Sequence, residues 1–291
     1  MSKEKILAHR TPEGKVLDFK PKLVLFDLCS TILDTMKSDK ETLNNVLGDY
    51  GLGHVKDINA IKTPGKTLYN SANDIASDHP TTFRVNYMIA LIFNLGGKAK
   101  PFPGAGDTLS ILKAAKIKTG YISNRNVVYE DALRLSYPLL HDAFDVRQHP
   151  KQEKIGFGDH IVEKPVPGIL DAALLKLNNK TGSKFKAGDK KILFIGDAKS
   201  DIELAEACGI TPVLFYSEES NITPEFIRAR PGLKIVKDHS ELQDLLLSQY
   251  SKREKMLLRA KAWLSFNKTY HPRPVGERWN PFAFLSRDKS L

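Results

Sequence analysis

"ILFIGDAKSDIELAEACGI", Ile192 to Ile210, is the stretch whose reading decides the fold. It opens as a short β-rich run, turns at Gly196, delivers Asp197 and Asp201 four residues apart, and continues as a helix-patterned segment that stops at Gly209. A strand feeding a helix through an acidic turn is half of a crossover unit. The same alternation recurs along the chain. "KLVLF" (Lys22 to Phe26), "KTGYIS" (Lys118 to Ser123), "TPVLFY" (Thr211 to Tyr216) and "LKIV" (Leu233 to Val236) read as further strands. "GDTLSILKAAK" (Gly106 to Lys116), "PGILDAALLKL" (Pro167 to Leu177) and "SELQDLLLSQ" (Ser240 to Gln249) read as helices between and after them. This pattern predicts an α/β fold with a Rossmann-like parallel sheet.

Roughly 90 residues separate the first strand from the second, too many for one crossover connection. Within them "ETLNNVLGDYGL" and "TTFRVNYMIALIFNLG" look helical, so a small inserted α-helical cap is expected over residues 36–96. "PFPGAG", Pro101 to Gly106, marks the return. The expected division is a core of residues 21–35 and 97–249, a basic N-terminal extension of residues 1–20, and a basic C-terminal extension of residues 250–291.

Charge supports that division. The chain of 291 residues carries a net charge of +10. Met1 to Lys22 holds +3 and Ser251 to Leu291 holds +7, so everything between is neutral. A neutral body fits a small-molecule enzyme better than a nucleic-acid-binding domain, and the basic character belongs to the ends. Cys29 and Cys208, the only cysteines, form no CxxC pair, which supports neither a disulfide framework nor a thiolate zinc site. No run approaches the roughly 18 apolar residues of a membrane span, and the N-terminus lacks the apolar core of a secretory signal. The expectation is a soluble intracellular protein of the cytoplasm or an organellar matrix.

In open parallel sheets, function gathers at the carboxyl ends of the strands. Four such places carry useful chemistry: Asp27 after the first strand, Ser123 and Asn124 after the second, Lys164 in "VEKPVPG", and "GDAKSD" from Gly196 to Asp201. Taken singly, Asp27 reads as well as a helix cap, Lys164 as a solvated surface lysine and "SN" as turn chemistry. Together they suggest opposed carboxylates that need a hard cation such as Mg²⁺, beside a lysine, a hydroxyl and amides suited to a phosphoryl group.

These four segments resemble the four motifs of the haloacid dehalogenase superfamily of hydrolases, over roughly residues 21 to 249. "LVLFDLCSTILDT" (Leu23 to Thr35) is similar to the nucleophile motif and "YISN" to the phosphate-binding motif. "EKPVPGIL" is similar to the lysine motif and Ile192 to Ile210 to the acidic metal motif. An insert between the first two resembles the helical cap of phosphoglycolate phosphatases and β-phosphoglucomutases. The resemblance implies that Asp27 attacks phosphorus of a small phosphorylated substrate, while Ser123 and the amide of Asn124 hold the phosphoryl oxygens. Lys164 neutralises charge. Asp27, Asp197 and the backbone carbonyl of Cys29 would bind Mg²⁺, and Asp201 would touch the metal shell or orient Lys164.

The side chain of Cys29 departs from the pattern, because the family's phosphatases place an aspartate there to protonate the leaving group and activate water. A thiol is a weak donor, so activity is expected to be impaired or altered. Relatives that lack the second aspartate exist, among them phosphonate-cleaving members that use a cap lysine. Lys66 in "TPGKTLYN" and Arg125 are candidates for contacting the substrate, with solvated side chains as the plain alternative. The eight histidines show no ligand spacing. The C-terminal extension suggests a helix placing Met256, Ala260, Trp263 and Leu264 on one face, then an aromatic and arginine-rich tail. It reads either as a helix packed on the core with a frayed end, or as a docking arm for RNA or a large complex. Two functions follow: a Mg²⁺-dependent phosphatase weakened by Cys29, or a catalytically silent relative held by its basic ends in a larger assembly, a ribonucleoprotein such as a ribosome, the mitochondrial one included.

Overall fold

β1 (Leu23–Phe26) is apolar at every position and wholly buried. Its alternating side chains enter two different cores: Val24 and Phe26 join one cluster, Leu23 and Leu25 the other. A strand covered on both faces is what a central position in a parallel sheet requires. The computed structural model describes residues 16–52, 83, 86, 87, 89, 90, 99–125, 127–155, 158–216, 220 and 222–269. After β1 come β2 (Leu33–Asp34), α1 (Met36–Asp49), β3 (Lys100–Pro101), α2 (Ala105–Ala114) and β4 (Lys118–Ile122). Then follow α3 (Val128–Ser136), α4 (Pro138–Asp142), β5 (Val146–Gln148), β6 (Lys151–Ile155), β7 (Gly158–Val162) and α5 (Gly168–Thr181). The chain continues through β8 (Ile192–Gly196), α6 (Lys199–Ala207), β9 (Thr211–Phe215), α7 (Pro224–Arg228), β10 (Lys234–Val236), α8 (His239–Leu246) and α9 (Lys252–Thr269).

Six strands pair in the order β10-β9-β8-β1-β4-β5, every neighbour parallel. The five strands read from the sequence are all in it. β5, only three residues long and carrying Arg147 and Gln148, lacks the apolar run that would have marked it. The antiparallel pairs β2–β3 and β6–β7 were missed for a similar reason. Two-residue strands have no period, and "KQEKI" is mostly charged or polar.

Helices cover both faces. α5 and α6 bring Leu170, Leu174, Leu177 and Leu204 against Leu25 and Phe194, while α2 and α8 pack Leu109, Leu112, Leu242 and Leu245 against the other side. Phe26 is fully buried and meets Phe144 edge-on at 6.3 Å. Truncating a buried phenylalanine of this kind costs about 3–5 kcal/mol. β1 therefore forms a rigid floor with its carboxyl end fixed in place.

The expected cap at 36–96 falls largely outside the described residues. α1 begins it, and Phe83 and Tyr87 stack with ring centroids 5.9 Å apart, Phe83 also meeting Tyr50 edge-on. At the other end, Leu17 is buried in the main core and its N–H donates to Ser248 Oγ at 3.0 Å. It lies within the stretch read as a basic extension. In α9, Leu258 and Ala262 pack on Ile111, Leu247 and Tyr250, and an Arg259–Asp244 ion pair of 2.9 Å fastens the helix. The stripe expected to form its apolar face points outward instead, with Met256 65% and Trp263 64% exposed. Among the described residues no helix is long and apolar enough to cross a membrane.

Candidate functional site

The backbone N–H of Asp27, the residue after β1, donates to the Ile195 carbonyl of β8 at 2.7 Å, so its side chain emerges between the two central strands. Lys164 reaches it from the loop between β7 and α5. Lys164 is 5% exposed, and its ammonium donates to Asp27 Oδ1 and, at 2.6 Å, to Asp201 Oδ1. Asp201 is wholly buried in the first turn of α6, and its second oxygen accepts the Ala198 N–H at 3.0 Å. One carboxylate thus caps its own helix and holds the lysine. Gly196 has to be glycine here, because a Cβ at that position would overlap the Asp201 carboxylate. Gly209, at φ +65°, ends the same helix in the left-handed region.

Oxygens of Asp27, Asp197 and Asp201 all lie within 4.8 Å of one another. Two of these carboxylates, Asp27 and Asp201, hold Lys164 between them. Burial pushes Asp27 up to about 6, with Lys164 pulling it back and Asp201 adding to the rise. For Lys164, burial acts to lower its pKa, but Asp201 and Asp27 overcome it and hold the ammonium above its ordinary value. An oxygen-only donor set of three carboxylates fits a small hard divalent cation.

The loop after β4 supplies the next groups. Ser123 is buried; its N–H donates to the Gln148 carbonyl at 3.0 Å, and its Oγ accepts the Arg125 N–H at 3.2 Å. The Asn124 side chain clasps the lysine's own backbone: Nδ2 donates to the Lys164 carbonyl at 3.1 Å and Oδ1 accepts the Lys164 N–H at 2.8 Å. The sequence pointed to Asn124 for its amide; its side chain ties the second motif to the third.

Among the described residues the Cys29 thiol is not part of the carboxylate cluster. Burial pushes the thiol up to about 12, with Arg125 pulling the other way and Asp27 and Asp39 adding to the rise. Arg125 forms an ion pair with Asp39, which sits 2% exposed in the first turn of α1. Asp39 was missed because "MKSDKE" reads as solvated surface. The signal was its spacing: Met36, Asp39, Leu43 and Val46 share one helical face, so the carboxylate is carried into the core. His239 and His149 were missed too, since each binds through tertiary contacts that leave no spacing. His239 Nε2 donates to the Thr31 carbonyl at 2.9 Å, securing the chain just past Cys29. Lys66 lies outside the described residues.

Thus Asp27, Ser123, Asn124, Lys164, Asp197 and Asp201 converge at the carboxyl ends of β1, β4 and β8, with Cys29 and Arg125 alongside. A phosphoglycolate phosphatase of Aquifex aeolicus (strain VF5) is 25% identical over 229 residues, covering 75% of this chain and 98% of that protein. Among solved structures, a protein of Haemophilus somnus 129PT described as a predicted phosphoglycolate phosphatase superimposes with a TM-score of 0.61. It is 21% identical and covers 78% of this chain and 98% of its own. A HAD hydrolase of family IA, variant 3, from Entamoeba histolytica HM-1:IMSS gives a TM-score of 0.59 at 16% identity, covering 82% and 99%. At these identities the structural likeness speaks for the fold alone. The family model of haloacid dehalogenase-like hydrolases matches residues 21–209, more than half of the chain, and the protein belongs to that family.

Proposed function

We propose that the protein is a Mg²⁺-dependent phosphatase of small phosphorylated metabolites, working through an aspartyl phosphate on Asp27 and slowed by Cys29. The observation that carries this is the buried Lys164 held by both Asp27 and Asp201 beside the Asp197 carboxylate. Bound Mg²⁺, held by Asp27, Asp197 and the Cys29 carbonyl, would supply charge neutralisation for the phosphoryl oxygens. Asp201 is assigned mainly to orienting Lys164, since both of its oxygens already accept hydrogen bonds.

In the first half-reaction a carboxylate oxygen of Asp27 bonds to phosphorus as the ester oxygen departs. In the second, water displaces Asp27 and orthophosphate leaves. Ser123 Oγ and the Asn124 amide hold the phosphoryl oxygens, and Lys164 balances their charge. Proton transfer to the leaving oxygen and from the attacking water gets little help from Cys29, a thiol held well above neutrality. General acid–base help is typically worth about 10²–10⁴ in rate, so its loss leaves slow turnover rather than none.

The test is Mg²⁺-dependent hydrolysis of an aryl phosphate, then of phosphoglycolate, the substrate named for the Aquifex relative. Wild type is expected to turn over slowly, Asp27→Asn not at all, and Cys29→Asp about 10²-fold faster than wild type. Absence of turnover in both wild type and Cys29→Asp would sink the reading. A second reading then gains: a catalytically silent member of the family, docked in a larger assembly or on RNA through its basic ends. It is favoured by Cys29, by the +7 charge from Ser251 onward and by the outward apolar stripe of α9. Salt-sensitive association that disappears on deleting Ser251 to Leu291 is its signature.

A further inference from the structure

The backbone of the Ser123–Arg125 loop is pinned by a histidine that the sequence did not single out. His149, one residue past β5, is 7% exposed. Its Nδ1 lies 2.9 Å from the Arg125 carbonyl oxygen, and its Nε2 lies 3.1 Å from Tyr121 Oη and 3.4 Å from Glu130 Oε2. One ring therefore joins β4, the loop that follows it and the first turn of α3. A carbonyl oxygen only accepts, so Nδ1 carries the hydrogen of the Arg125 contact.

Glu130 backs the ring and is itself crowded by donors: His141 Nε2 stands 3.6 Å away and Arg147 Nε 4.0 Å away. The His149 hydrogen bond, first of several causes, lowers the Glu130 carboxyl to about 2 against the opposing effect of burial. The Glu130 carboxylate is thus ionised across the working range and acts only as an acceptor. Tyr121 also meets His149 edge-on at 5.5 Å, which fixes the ring plane. The Arg125 carbonyl could have been left to solvent in a surface loop. Here it is bonded to a buried group that three elements hold in place.

We propose that His149, backed by Glu130 and Tyr121, is a positioning residue for the phosphoryl-binding loop, fixing the Arg125 peptide so that the Ser123 hydroxyl and the Asn124 amide converge on a substrate phosphoryl group. The inference rests on the phosphatase reading above. The Arg125 carbonyl belongs to the peptide after its Cα and the Arg125 N–H to the peptide before it, so holding the carbonyl restrains Arg125 and, through its N–H, the Ser123 hydroxyl that accepts it.

The experiment measures binding of inorganic phosphate to the Mg²⁺-loaded full chain by calorimetry, beside the urea midpoint of each variant. His149→Phe keeps a planar ring against Tyr121 and removes both nitrogens, while His149→Gln returns a donor. Wild type is expected to bind phosphate, His149→Phe to bind it about tenfold more weakly, which is about 1.4 kcal/mol, and His149→Gln to recover part of the loss. Where turnover is measurable, KM should rise with kcat little changed. Should His149→Phe not fold, Glu130→Gln decides: a loss of about threefold or more in phosphate affinity supports the proposal, and no loss overturns it. Unchanged phosphate affinity in His149→Phe, with or without a lower urea midpoint, means a purely structural histidine and overturns the inference while the phosphatase reading stands. If wild type binds no phosphate, the phosphatase reading fails, and the inference falls with it.

Discussion

Two sets of groups around Asp27 contrast. In one, Lys164 donates to both Asp27 and Asp201, with the Asp197 carboxylate close by. In the other, Cys29, its thiol raised by burial, faces an arginine that is paired with Asp39. In the phosphatase proposed above, the first set would handle charge and the second protons, so positioning and electrostatics would be separable from proton transfer within one site.

The largest expected break is on the charged side. Lys164→Met keeps the length and apolar stem of the side chain but strands two buried carboxylates facing each other. Removing one partner from a buried ion pair costs about 3–5 kcal/mol, and here the one cation serves two anions. The urea midpoint should fall accordingly, and added Mg²⁺ should restore part of it. Arg125→Met removes the cation paired with one carboxylate, Asp39, and is expected to cost less. If the two variants lose equally, the clusters are not as different as their geometry suggests.

A second contrast is in pH. Burial lowers His239 to about 4, although its bond to Thr31 opposes this, so the unfolded chain takes up that proton near pH 6.5 and the folded chain does not. Its contribution to stability is full above about 6.5 and is lost as pH falls towards 4, about 3 kcal/mol in all. Asp27 has the opposite sign. Its folded value of about 6 lies above the unfolded 3.8, so the folded state binds the extra proton and loses up to about 3 kcal/mol as pH rises between the two. Without metal the two slopes oppose each other in wild type. Relative to wild type, His239→Gln should lose stability with rising pH across this window and Asp27→Asn should gain it, as read from urea midpoints. Parallel profiles for all three proteins would show that neither group is held as buried as the structure places it.

The same contrast explains what the sequence revealed. The charged side was legible because its residues sit one turn past apolar strands in a fixed order, with Asp197 and Asp201 spaced by a helix start. The fold was legible because β1, β4, β8 and β9 are apolar runs that only a sheet core accommodates. The rest depended on contacts between distant segments. Asp39 meets Arg125 across 86 positions, His149 meets Arg125 across 24, and His239 meets Thr31 across 208. None of these pairs has a local spacing to read. The short polar strand β5 was invisible for another reason: it gains its place by pairing with β4, with no pattern of its own.

The smallest expected effect is the sharpest test of the proton side. Cys29→Ser removes polarizable sulfur and leaves a hydroxyl that is also a poor acid near neutrality. If the thiol at 29 only fills space beside Asp27, stability should change by about 1 kcal/mol or less, and aryl phosphate turnover by no more than a few-fold. Cys29→Asp at the same position should raise turnover far more, since it returns the missing proton carrier. The pair separates size from chemistry at one site. Should Cys29→Ser instead abolish turnover, the sulfur itself takes part, and the side that looks depleted would carry a chemistry of its own. With the value near 12 set chiefly by burial, the silent thiol is the outcome the geometry supports.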